Sequence, residues 1–190
     1  MVNKLTILYV LEPFLTKPHE QLHLADIART LNRPHPTVRQ HLGFLEKEGI
    51  LKKSRKGKLS LYSLNFGSSH ILHYLAIAEK NSLIEKCKKE LLLGELLSYM
   101  HASLAEHNKA LIFGSAAQLQ KKANDIDVLI TGKFDKENIE KFSDRFNIKV
   151  HLINVKELRD VTQTLKQEIL KKHLLIQGSE EILRWLLWQA

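Results

Sequence analysis

The chain carries a single cysteine, Cys87, among its 190 residues. One thiol excludes an intrachain disulfide. Its setting, Glu85-Lys86-Cys87-Lys88-Lys89, reads as helical and charged, so we expect an exposed thiol in a reducing cytosol. Glycine (8) and proline (4) are scarce and no tract is of low complexity, which excludes fibrous and disordered classes. No apolar run approaches the length of a membrane span and no signal pattern opens the chain, so the expectation is a cytoplasmic protein with no membrane partner. Histidine is plentiful at 10 residues. However, His19, His23, His35 and His41 lack metal-ligand spacing and have no cysteine beside them, so no zinc site is expected there.

The length allows one large domain or two small ones, each able to bury a modest core. The formal net charge is +8. It is unevenly placed: residues 1–66 hold 11 Lys+Arg against 5 Asp+Glu, and the remaining 124 hold 18 against 16. An excess of positive charge confined to the first third points to a polyanionic partner there.

Residues 4–15 have the apolar spacing of a buried helix ended near Pro13. Residues 21–31 make a second helix, with Leu22, Leu24, Ile27, Ala28 and Leu31 as its inward stripe. After the turn Asn32-Arg33-Pro34-His35, Pro36 suits the first position of a third helix. In that helix Val38, Leu42 and Leu45 face inward, and Thr37, Arg39, Gln40 and Gly43 face outward. Gly49 reads as its C-terminal stop. Two short alternating runs, Ile50–Lys53 and Lys58–Leu64, flank Ser54-Arg55-Lys56-Gly57, which reads as a hairpin turn.

Helix, helix, turn, helix, hairpin resembles the winged helix-turn-helix of ArsR-like transcription regulators. The residues that carry the resemblance are Leu24–Ala28, Pro36–Leu42, Leu45–Ile50 and Gly57–Tyr62. It implies that the third helix enters the major groove of double-stranded DNA, with Thr37, Arg39 and Gln40 reaching base edges. Lys52, Lys53, Arg55, Lys56 and Lys58 would then follow phosphates from the hairpin. A solvated basic hairpin on a fold used for protein contact is the other reading.

Asn65–Ser69 reads as a hinge. A long helical region follows to about His107, with a break expected at Asn81-Ser82 and close packing at Gly94. It suits a connecting helix or the seam of a homodimer.

The densest pattern is KALIFGSAAQLQKKANDIDVLIT, Lys109–Thr131. Ala110-Leu111-Ile112-Phe113 is too short and too apolar for anything but a buried strand, and Gly114-Ser115 turns the chain. Asp125 and Asp127 sit two apart on a second strand, hence on one face, with Ile126 and Val128 on the other. Paired carboxylates on one strand face suit a hard divalent cation. A Gly-Ser turn with outward N–H groups suits phosphate. Further on, Lys136–Phe146 reads as an amphipathic helix, Lys149–Val155 as a strand, and Lys156–Lys172 as a polar helix. Leu174–Ile176 reads as a short strand, and a last helix is capped by Ser179, with Trp185, Leu186 and Trp188 as packing.

Phe113-Gly114-Ser115, nine residues, then Asp125-Ile126-Asp127-Val128 resembles the signature of the nucleotidyltransferase superfamily that includes DNA polymerase beta, and most of all its minimal members, over about 108–190. The resemblance implies that Gly114 and Ser115 hold nucleotide phosphates and that Asp125 and Asp127 bind Mg2+ or Mn2+. Lys121 or Lys122 would neutralise charge. In that family a later strand supplies a third carboxylate; here His151 stands at that place, and a neutral imidazole suits softer metals better. Asp135, Asp144 and Asp160 fall in segments read as loop or helix.

The expected fold class is therefore α+β: a winged helix-turn-helix at 1–66, connecting helices at 67–107 and a small mixed-sheet nucleotidyltransferase fold at 108–190. Two functions follow. One is a DNA-binding nucleotidyltransferase moving NMP from an NTP to a hydroxyl acceptor. The other is a regulator or antitoxin-like protein whose second domain binds nucleotide or a protein partner without catalysis.

Overall fold

A computed structural model describes residues 7–118 and 125–188. It is mixed α/β, with two small sheets and a set of short helices, and it divides into two compact units, Met1–Ala78 and Glu79–Ala190. Helix α4 (Ile71–Lys89) runs through the boundary between them.

In the first unit a 3-10 turn, Leu8–Leu11, leads into α1 (Glu12–Leu15). Pro13 does not end a helix as expected. It lies in the first turn of α1, where a missing N–H leaves no hydrogen bond unmade. The pair Leu22–His23 (β1) precedes α2 (Leu24–Thr30), and α3 spans His35–Lys47 with Pro36 in its first turn. Val38, Leu42 and Leu45 are fully buried, as their spacing requires. Strands β2 (Leu51–Lys56) and β3 (Leu59–Leu64) form a hairpin, and β1 adds to β3, all antiparallel. Lys56 pairs with Leu59, so the turn is the two residues Gly57-Lys58, and Ser54, Arg55 and Lys56 belong to the strand instead. Gly57 decides this, because its φ of +60° is what a tight two-residue hairpin needs.

In the second unit α4 passes through Asn81-Ser82 without a break, since Ser82 is buried and both residues stay in the helix. The break comes at Glu90, whose extended backbone starts α5 (Leu91–Ser103). Four strands make the sheet: β4 (Ala110–Phe113), β5 (Asp125–Thr131), β6 (Lys149–Val155) and β7 (His173–Gln177). Their order is β6-β5-β4-β7, with β5–β6 parallel and the other pairs antiparallel. The helices α6 (Glu137–Phe146), α7 (Gln163–Lys171) and α8 (Ser179–Leu187) complete the unit. The helix expected over 156–172 is shorter at its start, because Leu158–Asp160 is a separate 3-10 turn and Thr162 caps α7. Ser179 does not cap α8. Gly178 occupies the cap, and the Ser179 hydroxyl is buried with no partner among the described residues.

One face of this sheet offers Ala110, Ile112, Ile126, Val128, Ile130, Leu174 and Ile176 to a core with Leu83, Leu93, Leu96, Met100, Ile139 and Phe142. Each large apolar side chain buried here contributes about 1.5–3 kcal/mol. Cys87 packs against the same cluster and is half-buried, contrary to the exposed thiol expected from its lysine neighbours, and burial pushes its thiol pKa up. Alternation leaves the other sheet face to Leu111, Phe113, Asp125, Asp127 and Leu129.

Candidate functional sites

The site in the second unit is built where β4 ends. Phe113 pairs with Asp127, Asp127 with His151, and Phe113 with His173. Direct pairing puts these side chains in one row on one face. Immediately after the row, Gly114 turns the chain at φ +72° into the 3-10 stretch Gly114–Gln118. A Cβ on Gly114 would stand 2.8 Å from Asp127 Oδ2. A side chain there would displace the Asp127 carboxylate, and the backbone conformation is one that L-residues rarely adopt. The glycine turn and the second carboxylate are therefore in direct apposition, and Ser115 is exposed beside them.

Asp125 and Asp127 are both half-buried while Ile126 and Val128 are buried, so the two carboxylates share the open face. The Asp127 side chain is 31% exposed. Burial, then the neighbouring Asp125 carboxylate, pushes the Asp127 carboxyl above the usual range; His151 opposes this and Glu168 adds to it.

His151 stands where its strand position places it. Its Nδ1 is 3.6 Å from Asp127 Oδ1, beyond a hydrogen bond, and its Nε2 is buried without a partner among the described residues. Asp135, Asp144 and Asp160 are not brought to Asp127. The acid that is felt there, Glu168 on α7, was missed in the sequence because nothing local links a helix forty residues away to the Asp pair. Among the described residues no group of three or more His, Cys, Asp or Glu has the arrangement of a protein-only metal cage. Lys121 and Lys122 lie outside the described residues.

In the first unit the DNA-facing candidates are all on the surface. Thr37, Arg39 and Gln40 are exposed along α3, and Lys52, Lys53, Arg55, Lys56 and Lys58 are exposed along the hairpin. Lys53 lies 3.9 Å from a Glu46 carboxylate oxygen, and its ammonium is also over the Tyr62 ring. His41 of α3 is buried: its Nδ1 is 3.2 Å from the Tyr9 hydroxyl, and burial holds its pKa down. No helix among the described residues is long and apolar enough to cross a membrane.

Comparison of the chain with protein-family models, with curated proteins and with solved structures found no match.

Proposed function

We propose that the chain is a DNA-binding protein whose second unit is a nucleotidyltransferase, transferring NMP from an NTP to a hydroxyl acceptor. The observation that carries the reading is the 2.8 Å approach that a Cβ at Gly114 would make to Asp127 Oδ2. A positive-φ glycine turn with the exposed Ser115 beside it, set against two carboxylates on one strand face, suits a triphosphate and its cation. This agrees with the resemblance of Phe113-Gly114-Ser115 and Asp125-Ile126-Asp127 to the nucleotidyltransferase signature.

The donor set fits a hard cation. Magnesium usually takes one or two protein carboxylates and completes its shell with water and substrate phosphate, so the pair Asp125 and Asp127 suffices without a third protein ligand. When bound, Mg2+ or Mn2+ would neutralise phosphate charge and polarise the phosphoryl group under attack. Gly114 and Ser115 would hold the phosphates, and Asp125 and Asp127 would orient them at the end of the sheet where β4 stops and β5 starts.

In the first unit, the order α1-β1-α2-α3-β2-β3 with an antiparallel three-stranded sheet supports a winged helix-turn-helix. In this reading α3 lies in the major groove of double-stranded DNA with Thr37, Arg39 and Gln40 toward base edges. The exposed lysines and arginine of β2 and its turn contact phosphate.

A second reading is favoured by His151, which holds the strand position where a third carboxylate would complete catalysis. The unit then binds nucleotide, or a protein partner, as a regulator without transfer. Incubation with labelled NTPs, Mg2+ or Mn2+ and hydroxyl acceptors separates the two. Transfer that is lost in Asp125→Asn/Asp127→Asn supports the enzyme; saturable, metal-dependent binding without transfer supports the regulator. Binding unchanged in the double variant contradicts both.

A further inference from the structure

Helix α4 reaches the glycine turn through polar side chains that the nucleotide site does not use. Glu79 and His173 are buried, with side chains 3% and 1% exposed, and His173 Nε2 lies 2.9 Å from Glu79 Oε1. The other ring nitrogen, Nδ1, is 2.8 Å from the Ile169 carbonyl of α7. A carbonyl can only accept, so Nδ1 carries a proton, and with a carboxylate at Nε2 the ring suits the doubly protonated form. Two further stitches run from the same helix. Lys80 Nζ donates to the Ile176 carbonyl at 2.6 Å, and Lys86 Nζ donates to the Ala117 carbonyl at 3.1 Å. Ala117 belongs to the 3-10 stretch that starts at Gly114. His173 also pairs in register with Phe113, and the neighbouring Lys172 carbonyl accepts the Gly114 N–H at 3.3 Å.

A buried ion pair is seldom the most stable filling for its space; apolar residues of the same volume often do as well, and what the pair supplies is a single defined geometry. The geometry points to Glu79 and His173 as positioning residues for the Gly114–Ser115 turn. Through the charged pair, α4 fixes the start of β7, and the Lys172 carbonyl just before that strand holds the Gly114 N–H and with it the angle of the turn. This deepens the nucleotide-binding reading and rests on it for the ligand, though not for the turn.

The groups that face the His173 ring decide its titration. Burial opposes its charge, but the Glu79 carboxylate, with its hydrogen bond, and the Ile169 carbonyl outweigh this, while Lys86 opposes; the net shift is upward. Lys80, next to Glu79, has its own pKa lowered by burial and raised by Glu79. A raised histidine pKa means that the pair is fully formed below the ordinary histidine value and is lost as pH rises through the raised one.

The test uses the full chain with two readouts: affinity for ATP with Mg2+ by calorimetry, and hydrogen-exchange protection of the amides at 114–117, each from neutral to alkaline pH. In the wild type both should fall together as His173 loses its proton. Glu79→Gln should weaken ATP by about tenfold at neutral pH and shift the fall to lower pH, as expected when a supporting residue is displaced. His173→Gln should leave both profiles flat at the weakened level. The exchange Glu79→His/His173→Glu should recover part of the affinity and protection. A folded Glu79→Gln protein with wild-type affinity, wild-type pH profile and unchanged protection overturns the proposal. If the pair variants do not fold, Lys86→Met decides: faster exchange at 114–117 supports the positioning role of α4, and unchanged exchange and affinity overturn it. If the wild type binds no ATP, the nucleotide reading fails, and the exchange arm alone decides whether the pair holds the turn.

Discussion

Strands β2 and β5 place their charges in opposite ways. Along β2 all residues after Leu51 are exposed, and its lysines and arginine lie on the surface of a strand that buries its first residue alone. Along β5 all residues after Asp127 are buried, and the two carboxylates are held half-buried at the one end that stays open. A charge in water acts at a distance, tolerates movement and is screened by salt. A half-buried charge acts on whatever touches it and depends on the backbone beside it. The first arrangement suits a polyanion met over a wide surface; the second suits one cation and one phosphate chain at defined positions.

The largest expected effect comes from breaking the buried side of this contrast. Asp125→Asn/Asp127→Asn should abolish metal-dependent nucleotide binding and transfer while leaving duplex DNA binding intact, measured by calorimetry and by fluorescence anisotropy on the same preparations. Loss of both activities together would end the division of labour. Gly114→Ala should also abolish nucleotide binding. Its added Cβ meets Asp127 at 2.8 Å in a positive-φ backbone, and strain of this kind costs on the order of 1–3 kcal/mol, readable by urea unfolding.

The exposed side should fail by degrees instead. DNA affinity should fall linearly with the logarithm of salt, with a log–log slope of about −0.9 per phosphate contacted. Replacing Lys52, Arg55 and Lys56 by Gln should reduce that slope by up to about three such units without changing nucleotide affinity. A slope that stays unchanged would remove the hairpin from the DNA surface.

A smaller effect tests the charge on Asp127. Its pKa is raised, so the folded state holds a proton more readily than the unfolded chain. Stability therefore declines as pH rises from the ordinary aspartate value through the raised one. Asp127→Asn should raise the melting temperature slightly at neutral pH, and the gain should vanish in acid, where the residue is protonated in both states. Smallest of all, Gly43→Ala, a helix-interior change with nothing within 4 Å of the new methyl, should stabilise the first unit by about 0.5–1 kcal/mol.

What could be read from sequence alone follows from the same contrast. Strands β4, β5 and β6 were legible because an apolar run too short for a helix and a period of two leave few alternatives. Burial of Val38, Leu42 and Leu45 was legible from helical spacing. The hairpin turn was misplaced by two residues, because Ser54, Arg55 and Lys56 suit a strand edge or a turn equally and only the backbone at Gly57 distinguishes them. Asn81-Ser82 looked like a break on propensity, but burial in tertiary packing overrode it, and the true break at Glu90 has no residue type that announces it. The Asp pair and the glycine turn were visible as a motif. The nearness of Glu168 to Asp127 and of His173 to Glu79 was not, since both are pairings over a long sequence separation that no local pattern encodes.

The central claim is that Asp125 and Asp127 stand across from the Gly114–Ser115 turn to hold a triphosphate and its cation. Calorimetric titration of the full chain with ATP and Mg2+, beside Asp125→Asn/Asp127→Asn, tests it most directly. The expected result is saturable binding that requires the metal and disappears in the double variant. Binding of equal strength in both proteins, or with the metal chelated, would contradict it.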